Sequence, residues 1–246
     1  MKITYVTMFP ENYVGFLDTV IVKRAREKKI ADIRIVDIRD YSDGSFRHLD
    51  DSPCGGGAGM VMRCGPVIKA IRAAKHQHSK VILMDPIGQV YDQKKARELA
   101  QCEDLVFVCG HYEGFDARIY DEADECISLG DFILTGGELA SQVMTDSILR
   151  LQEGTIRQES TIEESFEIER LEYPQYTRPI DFEGRKVPEV LLSGNHMNIQ
   201  EWRTAKAAQR TLQYRPDLIE RRPLTEEEKK CIKKYCECIS IDKENE

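Results

Sequence analysis

Through residue 151, apolar residues fall in short dense runs separated by amphipathic segments. Residues 2–8 (KITYVTM) read as a first strand, and residues 32–37 (DIRIVD) as a second with strict alternation. Residues 80–84, 105–109 and 125–128 read as three more strands, the first two dominated by apolar side chains. Helical spacing is carried by residues 21–28, 66–76, 92–101, 117–123 and 137–151. Strands that are continuously apolar must be covered on both faces, so the pattern predicts an α/β fold built on a parallel sheet.

The pattern changes after Leu151. Residues 152–172 are polar, acidic and without apolar periodicity, as in an exposed linker. Two proline-marked stretches follow, YPQYTRP and KVPEVLLSGNH. Helical spacing returns from Asn198, breaks in a turn at Arg215-Pro216, and resumes over residues 225–238. Thr225 followed by Glu228 is the signature of a capping box at that last helix start. The predicted division is an α/β domain over residues 1–157, a flexible acidic linker over 158–172, and a small, mostly helical domain over 173–246.

Composition narrows the class. A chain of 246 residues with 41% hydrophobic content can bury a substantial core. It has no apolar run of the roughly 18 residues a membrane span needs. Its start, MKITYVTMFP, lacks the long apolar core and cleavage site of a secretory signal, so a cytoplasmic protein is expected. The eight cysteines form no C-x-x-C pair and several sit in apolar runs, which points to reduced thiols and no metal site. The net charge of −8 weighs against nucleic acid as a partner unless charge is segregated. Acids cluster at residues 121–125 and 159–172, whereas Arg203, Lys206, Arg210 and Arg215 occur with no acid between them. That stretch is either a basic face for phosphate or a solvated helix surface.

In an open parallel sheet, ligands bind beyond the carboxyl ends of the strands. Three such ends carry unusual turns: MDPIGQ from Met84, CGHYEGFD from Cys109, and SLGDFILTGGE from Ser128. Their glycines allow close approach of backbone to a ligand. Gly55, Gly56, Gly57 and Gly59 form a further glycine-rich loop. It is followed by Met60-Val61-Met62 and not by Lys-Ser/Thr, so it is no Walker loop, and it lacks the dinucleotide pattern. Such a loop either hangs free or folds over substrate on glycine hinges.

Longer strings are more specific. DDSPCGGGAGMVM, CGHYEGFDAR, ISLGDFILTGGELA, ESFEIERLEYPQYTRP and VPEVLLSGNH, then WR, RT and RPDL, resemble one family closely and in order to about Leu218. That family is the bacterial tRNA (guanine-37-N1) methyltransferases of the knotted SPOUT superfamily. The resemblance implies a deep trefoil knot made by the three turns, and a homodimer with each active site shared between subunits. It implies S-adenosylmethionine as methyl donor, magnesium as an aid, and a tRNA carrying G37 as substrate.

The resemblance also assigns residues. Pro86, Gly110, Tyr112, Glu113, Leu129, Gly130, Phe132, Leu134, Gly136 and Gly137 match the donor pocket. Glu172 matches the acid expected to take the N1 proton, and Arg157 the cation expected to stabilise charge on O6. The glycine loop (Gly55, Gly56, Gly57, Gly59) would close on substrate. Arg178, His196, Arg203, Lys206 and Arg210 are candidates for tRNA contact. Asp116, Arg118 and Asp131 read as structural hydrogen-bonders, and His111 as a packing or tRNA contact. Departures from the family pattern are Cys54 where an aromatic is common, Ile168-Glu169-Arg170 where Gly-Leu is usual, Phe132 for tyrosine, and the acidic tail beyond Cys238. A non-catalytic RNA-binding protein on the same scaffold, or a relative with another RNA target, is the alternative.

Overall fold

The computed structural model describes residues 1–43, 48–156, 164–166 and 169–236. The chain divides into two units, Met1–Gln158 and Glu159–Glu246.

In the first unit, strands β1 (Lys2–Thr7), β2 (Asp32–Asp37), β3 (Ser79–Val90), β4 (Asp104–Cys109) and β5 (Glu125–Ser128) form one sheet. Its order is β2-β1-β4-β3-β5, and every pairing is parallel, as the apolar runs predict. The helices of eight residues or more are α1 (Val20–Glu27), α2 (Cys64–Ala74), α3 (Gln93–Ala100) and α4 (Glu138–Leu149). Side chains of a strand alternate between faces. Ile82, Met84, Leu105 and Phe107 accordingly meet Val22 and Ala25 of α1, Leu99 of α3 and Met144 and Ile148 of α4. Val81, Leu83, Val106 and Val108 point the other way, to Val67, Ala70 and Ile71 of α2. Tyrosines in the first face are admitted because their hydroxyls are bonded: Tyr5 donates to Thr145 Oγ1 at 2.6 Å, and Tyr13 lies 2.7 Å from Ser141 Oγ.

Register sets the functional end. Met84 of β3 pairs with Cys109 of β4 and with Ile127 of β5, so the carboxyl ends of these strands are level. Beyond Met84 the β3–β5 register slips, and Gln89 pairs with Ile127 again. Residues 85–88 thus bulge from the β3–β5 ladder, and β3 runs further than the predicted 80–84. The predicted helix over 117–123 is a short 3-10 turn, Ala117–Glu122, started by the Asp116 side chain accepting from the Arg118 N–H.

The second unit is built on α5 (His196–Tyr214), α6 (Pro216–Arg221) and α7 (Glu226–Tyr235). Ala205 and Ala208 of α5 pack on Cys231 and Ile232 of α7. The capping box opens α7 as the sequence indicates: Thr225 Oγ1 accepts from the Glu228 N–H, and the Glu228 carboxylate accepts from the Thr225 N–H. Glu228 also takes the Arg170 guanidinium, through Nε at 2.9 Å and Nη2 at 3.1 Å. Arg170 is 2% exposed and donates as well to the carbonyls of Arg222 and Pro223. Residues 169–172, placed in the linker by their polarity, are therefore fixed to this unit by a neutralised, fully bonded charge. Residues 158–163 and 167–168 of the expected linker lie outside the described residues, as does the acidic tail.

Candidate functional site

The three strand-end turns surround one cavity of about 550 Å³. Met84, Asp85, Pro86 and Ile87 come from the first turn, residues 110–115 from the second, and residues 127–130 and 132–137 from the third, joined by Tyr120 and Ala140. All of Pro86, Gly110, Tyr112, Glu113, Leu129, Gly130, Phe132, Leu134, Gly136 and Gly137 line it. No Lys or Arg does. A phosphate-bearing ligand would want such charge, whereas a flat heterocycle wants the apolar wall that Leu129, Phe132 and Leu134 provide.

Glycine makes the convergence possible. The Gly137 N–H donates to the Gly110 carbonyl at 3.0 Å, and a Cβ there would lie 2.8 Å from Cys109 Cα and 2.9 Å from Met84 Cβ. The third turn passes directly over the ends of the other two strands, with no room for a side chain. Tyr112 holds φ at +60°, an uncommon conformation for a bulky residue, and is half exposed at the cavity wall.

Buried polar groups tie the turns together. His111 Nε2 lies 2.7 Å from Glu138 Oε2, and Glu138 Oε1 accepts from Thr7 Oγ1 at 2.6 Å. His111 therefore has a partner, 27 residues away in sequence, and links the second turn to the start of α4. Tyr120 donates to Asp85 Oδ2 at 2.7 Å, and burial together with that carboxylate pushes its phenol well above the usual range. The Arg118 guanidinium holds the Asp116 carboxyl down to about 2, in keeping with a structural pairing.

The glycine loop borders this site. Gly55, Gly56, Gly57 and Gly59 all have positive φ and are exposed. The segment after the loop is stitched to the second turn: Glu113 N–H to Met60 O at 2.9 Å, Met62 N–H to Gly114 O at 2.9 Å, and Asp116 N–H to Met62 O at 3.0 Å. The loop's base and the cavity wall thus share a backbone ladder.

Glu172 belongs to the second unit and is bonded at each polar group. Its N–H donates to Ser165 Oγ at 3.0 Å, its carbonyl accepts from Arg210 Nη1 at 3.0 Å, and its Oε1 accepts from Gln175 Nε2 at 2.5 Å. Arg203 stacks over the Tyr173 ring, 4.7 Å from its centroid. Lys206 donates to Gln209, while Arg178 and His196 are exposed. Arg157 lies outside the described residues.

Sequence reasoning missed Glu138, Thr7, Asp85 and Tyr120. Glu138 opens α4 directly after the glycine pair and could have been read as a first-turn acid; nothing in the sequence joins it to His111 or Thr7. Among the described residues every cysteine is a free thiol, and no group of three or more His, Cys, Asp or Glu is placed to hold a metal ion. No helix among them is long and apolar enough to cross a membrane.

The sequence that builds this site is similar to known proteins along most of its length. The family model described as tRNA (Guanine-1)-methyltransferase TrmD matches residues 1–221. Proteins called tRNA (guanine-N(1)-)-methyltransferase from Bacillus cereus (strain AH820) and Bacillus anthracis (strain A0248) are each 48% identical over 243 residues. In each case the match covers 96% of this chain and 99% of the relative. With a parallel α/β sheet, a cavity at its carboxyl edge and a match running through both units, the chain belongs to the tRNA (guanine-N1)-methyltransferase family.

Proposed function

We propose that this protein transfers a methyl group from S-adenosylmethionine to N1 of guanosine 37 in tRNA, with Glu172 as general base and Arg157 stabilising charge on O6. The observation that carries the reading is the convergence of three strand-end turns on one cavity in a chain of this family. The cavity's size suits a cofactor, and its apolar wall at Leu129, Phe132 and Leu134 suits a purine face. The ten residues from Pro86 to Gly137 named above would hold the donor, largely through backbone. When bound, S-adenosylmethionine supplies an electrophilic methyl group.

The rest falls to the protein. Guanine N1 carries a proton at neutral pH and is a poor nucleophile until it leaves. The Glu172 carboxylate accepts that proton, and the Arg157 guanidinium stabilises the negative charge that develops on O6. Among the described residues Gln175 engages one Glu172 oxygen, and the other is the one that would face the substrate proton. The glycine loop (Gly55, Gly56, Gly57, Gly59), Arg178, His196 and Lys206 contact the tRNA. Arg203 and Arg210 are turned to the segment around Glu172. The described residues gather no ligand set for magnesium, and no step here uses it.

The same reading makes the three turns a trefoil knot. Its supports are the backbone bond from Gly137 to Gly110, the bridge between His111 and Gly136, and the packing of Gly88 against the Cys126 backbone. It also makes the protein a cytoplasmic homodimer whose active site is shared between subunits. Leu139 and Val143 on α4 are 60% and 52% exposed, and Ile133 and Ile87 on the cavity wall are 83% and 72% exposed. An apolar surface of this kind marks an interaction site. The direct test is methylation of tRNA transcripts bearing G37 or A37, with the product nucleoside identified by mass. Methylation at N1 of G37 alone is expected; equal labelling of both transcripts overturns the assignment.

A further inference from the structure

Glu172 sits in a segment rich in acids and prolines, where side chains ordinarily have many rotamers and backbone has many courses. A general base that is free to wander is a poor one, because proton transfer requires placement within hydrogen-bond reach. The second unit holds this residue at three points. Ser165 Oγ takes its N–H, Arg210 Nη1 donates to its carbonyl, and Gln175 Nε2 donates to its carboxylate. The next residue back is anchored as well, with the Leu171 N–H on the fully buried Thr211 Oγ1 at 2.9 Å. Thr211 and Arg210 are neighbours on α5, so one turn of that helix carries the bonds that fix both residues of the segment.

The charge pattern of α5 suggests a phosphate-binding face, and Arg210 is part of that pattern. Its geometry tells otherwise. A guanidinium aimed at a half-buried carbonyl next to a catalytic carboxylate is already committed. We propose that Arg210 and Gln175 are positioning residues for the Glu172 carboxylate: Arg210 fixes the backbone from which the side chain springs, and Gln175 fixes one carboxylate oxygen so that the other is presented to the substrate. This rests on Glu172 being the general base. It adds that the base's aim is set by α5 and by the YPQYTRP element, and that Arg210 acts on turnover and not on tRNA affinity.

The two roles separate experimentally in the full-length protein. Four variants serve: Arg210→Met, which keeps the stem and removes charge and donors; Gln175→Glu, isosteric but without the donor; Gln175→His, which restores an N–H; and Glu172→Gln. For each, kcat and KM for a G37 transcript are measured, with tRNA affinity by filter binding at two salt concentrations and thermal unfolding as a control on folding. Positioning requires kcat to fall about tenfold or more in Arg210→Met and Gln175→Glu, since small misplacements carry losses of that order. Affinity for tRNA and its salt dependence should stay within about twofold of wild type, and Gln175→His should recover most of the lost kcat. In the Glu172→Gln background neither substitution should lower kcat further, because there is no base left to aim.

A rise in tRNA dissociation constant with a flatter salt dependence and unchanged kcat in Arg210→Met makes it a phosphate contact and overturns its part in the proposal. If Arg210→Met unfolds, Gln175→Glu, which leaves α5 untouched, decides the matter by the same kcat criterion. Loss of activity in Glu172→Gln with wild-type kcat in the positioning variants defeats this inference alone. Full activity in Glu172→Gln defeats the general-base reading and this inference with it.

Discussion

At Gly137 the absence of a side chain decides whether the third turn can reach its place. A methyl group there would press on Cys109 Cα at 2.8 Å and Met84 Cβ at 2.9 Å, and neither can retreat from a close-packed sheet. Gly137→Ala is expected to lose about 1–3 kcal/mol of stability by overpacking and to weaken donor binding at least tenfold. Thermal unfolding and calorimetric titration with S-adenosylmethionine would measure both; unchanged donor affinity would mean that the turn has slack. At this scale the sequence was most informative where long strings matched a family. The donor-pocket residues so assigned do share one cavity wall. It was blind where partners are far apart, as with His111 and Glu138, because periodicity and spacing say nothing about contacts across 27 residues. Nor does spacing show that Arg203 lies over the Tyr173 ring or that Arg210 donates to the Glu172 carbonyl.

Among elements, α3 is joined to the sheet by a closed ring of ion pairs. Lys80 of β3 bonds Glu98 and Glu125 at 2.9 Å each, and Lys95 of α3 bonds the same two carboxylates at 2.7 and 2.8 Å. The Lys95 and Lys80 ammoniums hold the Glu98 carboxyl down to about 2, and Glu125 is likewise depressed by Lys95 and Lys80 against the opposing effect of burial. Carboxylates depressed in the folded state contribute stability above their unfolded pKa and lose it as pH falls through the folded value. The ring's contribution is thus complete above about pH 4.5 and gone near pH 2. Glu98 is largely exposed, so the effect is small, about 1 kcal/mol or less. Urea midpoints of wild type and Glu98→Gln should differ at pH 6 and converge by about pH 2; a constant difference would show that the pairs do not carry it. Long apolar strands and capped helices were legible in the sequence because burial and capping leave local marks. The α6 helix was not, since Arg215-Pro216 reads as a turn although proline also starts helices well. Nor was the anchoring of residues 169–172, which depends on a partner at Glu228.

For the molecule as a whole, the exposed apolar residues of α4 and the third turn are the surface through which two copies are proposed to join. Val143→Glu puts a charge into that patch without touching the cavity lining. Sedimentation should change from dimer to monomer and methylation should fall more than tenfold, given that a buried unpaired charge costs several kcal/mol. A monomeric wild type, or a dimer that survives the substitution, would contradict the assembly. The sequence pattern changes after Leu151, and the chain divides into the units Met1–Gln158 and Glu159–Glu246. The proposed division of labour is less visible: donor site in the first unit, base in the second. The most direct measurement of that division is a single-turnover methylation assay on a G37 transcript with wild type and Glu172→Gln, both saturated with S-adenosylmethionine. A fall of about a hundredfold or more, with donor affinity unchanged, is expected when a general base is removed. A rate within about threefold of wild type would show that the proton leaves N1 without Glu172.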